Sequence, residues 1–112
     1  MKILMMILLL IQASWVSALE LQCQTPWEDV LMVIKTSPET QTTYLLFLND
    51  EGVEKYWPLP HNFITDNLEH FLYADSETQI EINKQKLTGL ISSEENLFRN
   101  ERLIPLNHCL NL

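Results

Sequence analysis

The chain has 112 residues, 46% of them apolar and 20% charged, with seven basic against fifteen acidic side chains and a formal charge of −8. That length suits one domain with a single modest core. So acidic a chain is a poor partner for nucleic acid or anionic lipid, because both demand clustered Lys and Arg.

Lys2 opens the chain, an unbroken apolar run covers residues 3–11, and a more polar stretch follows from Gln12 to Ala18. Val16 and Ala18 stand at minus three and minus one of a small-residue cleavage site. A spanning helix needs about 20 mostly apolar residues, and Gln12 and Ser14 interrupt the run well before that. The pattern predicts a removable secretion signal over 1–18, set against an uncleaved anchor, and a mature domain over 19–112 that inserts in no membrane. Removing Lys2 leaves that domain with a formal charge of −9. The compartment is therefore periplasmic or extracellular. Cys23 follows Leu21 and Gln22 rather than a small residue, which does not fit a lipidated cysteine.

Cys23 and Cys109 bracket the mature domain, and an even count in an exported chain predicts a disulfide. Between them the strand signals dominate. Val30 to Ile34 is a short apolar run rich in branched residues, followed by polar, turn-forming residues 36–41. Residues 42–48 form the next predicted strand, and Asn49-Asp50-Glu51-Gly52 a turn in which Gly52 supplies a positive φ. Residues 53–57 alternate, and Pro58 and Pro60 are expected to stop the strand and begin a loop at Leu59. Trp27 is expected to pack over the disulfide.

Ile64, Leu68, Phe71 and Leu72 would line one face of a helix, with Asp66 and Glu69 as a capping box. Leu68, His70 and Leu72 also alternate, and a strand over 69–74 is preferred to that short helix. Ile80 and Ile82 point inward on a strand over 78–83. Residues 84–86 form a polar turn, 87–92 the next strand, with Gly89 a candidate bulge. Residues 94–101 are read as one helical turn around Leu97 and Phe98. Pro105 marks 102–106 as a closing edge strand. The expected fold is mainly β, a small sandwich or half-open barrel with one disulfide and at most one short helix.

The stretch from Ile80 to Gly89 resembles a strand-turn-strand pattern of small exported bacterial β-proteins. In these an asparagine or aspartate and a basic residue precede a threonine and a glycine or leucine, and a cysteine lies near the C-terminus. The resemblance covers about a tenth of the chain. It implies secretion and β structure and carries over no site residue.

No catalytic constellation is legible. The serines fall in turns without a nucleophile-elbow glycine pattern, and a cysteine nucleophile conflicts with the disulfide. His61, His70 and His108 lack metal-ligand spacing, and two glycines cannot build a phosphate loop. No enzyme, metal or cofactor is expected. Adjacent acids such as Asp50-Glu51 read first as solvated charge. Tyr56 and Trp57 beside prolines are either an exposed recognition tip or, for Trp57, a cap on the core. Asp50, Glu51, Tyr56, Trp57 and His61 are the candidate binding residues. The leading expectation is a non-enzymatic, inhibitor-like module for another protein, with the acidic charge favouring a basic one. The alternatives are a structural or accessory cell-envelope protein and a small-ligand carrier.

Overall fold

The computed structural model describes residues 19–112; the expected secretion signal lies outside the described residues. Among the described residues nine strands form a single antiparallel sheet: β1 (Glu20–Gln24), β2 (Leu31–Thr36), β3 (Thr43–Asn49), β4 (Gly52–Leu59), β5 (Ile64–Asp66), β6 (His70–Ala74), β7 (Thr78–Asn83), β8 (Thr88–Ser93) and β9 (Leu103–Asn111). Their spatial order is β4-β3-β2-β1-β9-β8-β7-β6-β5. Two meanders are thus joined by one long-range pairing, β1 with β9. The two free edges, β4 and β5, are consecutive in the chain and linked only by Pro60 and a 3₁₀ turn over His61–Phe63. The sheet curls to bring them together, and the fold is a nearly closed barrel.

The Cys23–Cys109 disulfide sits on that joining pair. Between Gln22 and Gln24 the register with β9 shifts, so that His108 and Cys109 together face Cys23. His108 takes a positive φ of 49° there, the left-handed conformation that one class of bulge uses for its extra residue.

Alternation fills the barrel. Met32, Ile34, Leu45, Phe47, Phe71, Tyr73, Ile80, Ile82, Ile91, Ile104 and Leu106 converge in one core with both cysteines. Four of the hairpin turns share one device. Asn49, Asn67, Asp75 and Asn83 each end or follow a strand, and each side-chain oxygen accepts backbone N–H groups two or three residues on. Such Asx turns replace the ladder bonds a strand end would lose.

Several expectations need correction. β4 runs through Pro58, which stands opposite Tyr44, to Leu59; the proline is accommodated because β4 is an edge strand. The preferred strand over 69–74 forms, as β6, and the rival helix over 64–72 does not. Asn67 caps a tight turn instead, Leu68 is left 93% exposed, and Phe71 and Tyr73 rather than His70 and Leu72 face inward. Gly89 is no bulge, since its register is unbroken on both sides. The bulges fall at β1–β9 and between Phe47 and Leu48 on β3, where Glu54 is the extra residue of β4. Residues 94–101 form no helical turn; Leu97 and Phe98 are buried by a loop that folds back through a Phe98–Glu101 bridge. β9 is internal, not an edge. Pro105 pairs with Leu90 of β8, whereas β1 reaches only Asn107, Leu110 and Asn111. One flank of Pro105 therefore has no strand to bond.

Candidate functional site

The candidate residues separate along β4. Asp50 and Glu51 occupy the β3–β4 turn at one end, and His61 lies beyond the other end. Tyr56 and Trp57, as neighbours in a strand, take opposite faces of the sheet. Tyr56 points outward and is 62% exposed, whereas Trp57 packs partly buried against the core, edge-on to Phe47 at 5.7 Å. His61 is tied to the fold. Its Nε2 lies 3.1 Å from Oγ1 of Thr43, itself hydrogen-bonded to Thr36 Oγ1 at 2.8 Å. Trp27 packs edge-on to Phe98 at 5.3 Å.

Two surfaces result. The first is the outer face of β2, β3 and β4. Val33 is only 6% exposed yet belongs to no part of the interior core. Register explains this: Val33 stands beside Leu46, and Leu46 beside Tyr56, forming a row across the outside of the sheet. Leu31 with Leu48 flanks the row on one side and Tyr44 on the other, with Tyr44 edge-on to Tyr56 at 6.2 Å. The patch is rimmed by Asp50 and Glu51 at the turn and by Lys35 and Glu39 at the far end.

The second is a cleft of about 210 Å³ at the seam of the barrel. Lys55, Trp57, Pro58 and Leu59 of β4 form one wall. The β6–β7 turn (Asp75, Glu77) and the β8–β9 loop (Glu95, Leu97) form the other. Lys55 and Trp57 sit two apart on one strand and face the same way. The ammonium of Lys55 lies 5.0 Å from the Trp57 ring centroid and donates to the Leu97 carbonyl at 3.0 Å.

The β8–β9 loop is clamped beside this cleft. Arg99 donates to both oxygens of Glu54 at 2.8 and 3.0 Å and to both oxygens of Asp29 at 3.1 and 3.3 Å. The bulge at Glu54 frees that carboxylate from alternation and turns it to the arginine. Hydrogen bonds from Arg99 and then Asn49 hold the Glu54 carboxyl at about 2, and Arg99 likewise lowers Asp29. Across the cleft, burial and then the hydrogen bond to Asp75 push the Tyr73 hydroxyl above its ordinary value. Burial pushes Asp75 up, but the Tyr73 hydroxyl and the N–H groups of Glu77 and Thr78 outweigh it and hold that carboxyl down.

Sequence reasoning missed Lys55, Asp75, Glu77 and Glu95 as neighbours of Trp57. For Lys55 the signal was present, since the i, i+2 spacing in a strand already places it beside Trp57. The three acids reach the cleft only through sheet curvature. Among the described residues no three of His, Cys, Asp or Glu converge as metal ligands, and no helix is long and apolar enough to cross a membrane. No family model, curated protein or solved structure matches the chain.

Proposed function

We propose that this protein is an exported, non-enzymatic module that binds a basic protein through the outer face of β2, β3 and β4. The observation that carries the reading is the Tyr44, Leu46, Val33, Tyr56 patch beside the acidic β3–β4 turn. Tyrosines on a rigid sheet offer large contact area at low entropic cost. The carboxylates of Asp50 and Glu51 at the turn end of the same hairpin steer a cationic partner and disfavour an anionic one. Export agrees with the disulfide and with the resemblance of the region from Ile80 to Gly89 to small exported β-proteins. A non-enzymatic role agrees with both cysteines being joined, which removes the thiol nucleophile.

The test is capture from a cell-envelope extract at low and high salt, using the native protein and Tyr56→Ala. A protein held by the native domain, lost with Tyr56→Ala and weakened by salt supports the reading. Equal capture by both, or capture that salt leaves untouched, refutes it. A salt-resistant complex would instead favour a structural envelope role.

A further inference from the structure

The seam cleft is separate from the outer face. We propose that it binds a small organic cation with an apolar body, an ammonium or guanidinium on an aryl or alkyl group.

Size sets the first limit. A cavity of about 150 Å³ lined by apolar side chains holds benzene. The 210 Å³ here suits a substituted ring or one long side chain and is too small for a lipid. Trp57 and Pro58, backed by the buried Leu45, Leu59 and Leu97, supply apolar wall for such a body. Charge sets the second limit. Among the described residues Lys55 is the one cation lining the cleft, against the carboxylates of Asp75, Glu77 and Glu95. Asp75 is committed to Tyr73 and to two backbone N–H groups. Glu77 and Glu95 are exposed, and neither takes part in an ion pair among the described residues. An incoming anion would face that excess of carboxylate, whereas a cation would complete it. The Trp57 ring supplies the third feature. The ring holds the Lys55 ammonium 5.0 Å from its centroid and the Leu97 carbonyl accepts from the same group, so the resident cation is already partnered and the incoming one meets Glu77 and Glu95 beside the ring.

The cation has two sources, a free small molecule or an Arg or Lys side chain of a partner, and one experiment separates them. Benzamidine is titrated into the isotopically labelled protein while the indole N–H signal of Trp57, assigned through W57F, is followed by NMR. The Trp27 signal is the internal control. The expected result is a saturable shift at Trp57, at least tenfold weaker for the neutral isostere benzamide. E77Q/E95Q should weaken benzamidine binding about tenfold, the effect of losing two exposed charge partners, while Tyr56→Ala should leave it unchanged. Both glutamates lie on exposed turns, so that variant is expected to fold, and its amide spectrum reports whether it does. A short arginine peptide that binds more tightly than benzamidine would assign the cation to a partner chain; the reverse order would assign a free ligand. Equal affinity for benzamide, no loss in E77Q/E95Q, or no shift at Trp57 at millimolar benzamidine would overturn the proposal.

Discussion

At Gly89 the neighbouring strand comes so close that no side chain fits. A Cβ there would lie 2.7 Å from the carbonyl oxygen of Glu81 and 2.9 Å from Cγ1 of Ile82. The first of these atoms is backbone in a paired strand and cannot swing aside. Gly89→Ala should therefore destabilise the protein by about 1–3 kcal/mol, the range for overpacking, read as a lowered urea midpoint at unchanged slope. Arg99 illustrates the electrostatic side of the same scale. Glu54 falls from an ordinary 4.5 to about 2 on folding, and Asp29 is lowered too, both chiefly through Arg99. A carboxyl depressed by folding adds stability above its unfolded value and loses that contribution as the pH drops through the folded one. The native protein should thus lose this part of its stability between about pH 5 and pH 2. Arg99→Met should be less stable at pH 7 and show a smaller further loss at pH 3. Urea titrations at both pH values give the comparison; an equal loss in both proteins would mean that the clamp contributes nothing.

Among the elements, β4 has the most exposed position. It is an eight-residue edge strand, and an open edge of that length invites pairing with another chain. Two features blunt it. Pro58 withholds a donor, and the bulge at Glu54 breaks the regular ladder. Pro58→Val should restore the donor and promote edge-to-edge association while leaving the fold intact. Sedimentation velocity would detect this as a dimer or larger species rising with concentration; a strictly monomeric variant would show that the curl toward β5 protects the edge by itself. The β8–β9 loop works differently. It lays Phe98 against Phe47, with ring centroids 4.2 Å apart, and so closes one end of the core.

For the whole molecule, the critical contact is the one between β1 and β9. It is the strand pairing that joins the two meanders, and the disulfide reinforces it across 86 positions of chain. Loop-closure entropy for so long a separation amounts to about 4.5 kcal/mol at most. Small domains have only about 5–15 kcal/mol of total stability. Cys23→Ala/Cys109→Ala, or reduction of the native protein, should therefore cost about 3–4 kcal/mol in urea unfolding. A cost under about 1 kcal/mol would mean that the unfolded chain already keeps its ends together.

From the order of residues alone came the β class, the Cys23–Cys109 pairing and most strand positions, because alternation and turn chemistry act over a few neighbouring residues. The 78–83 strand matches the structure end to end, and Gly52 takes its positive φ of 126°. The phase of 70–74 was not legible, because a helical and an alternating pattern overlap there and a single side chain, Asn67, decides between them. Nor did the prolines reveal strand order: Pro105 suggests an edge, yet β9 lies at the centre and changes partner along its length. The candidate site shows the same division. Tyr56 and Trp57 stand out in the sequence, but only the pleat sends one to the outer face and the other to the seam. Asp75, Glu77 and Glu95 lie 18 or more positions from Trp57, and no local rule could bring them to it. Curvature of the sheet did, because it lays the β6–β7 turn and the β8–β9 loop against β4.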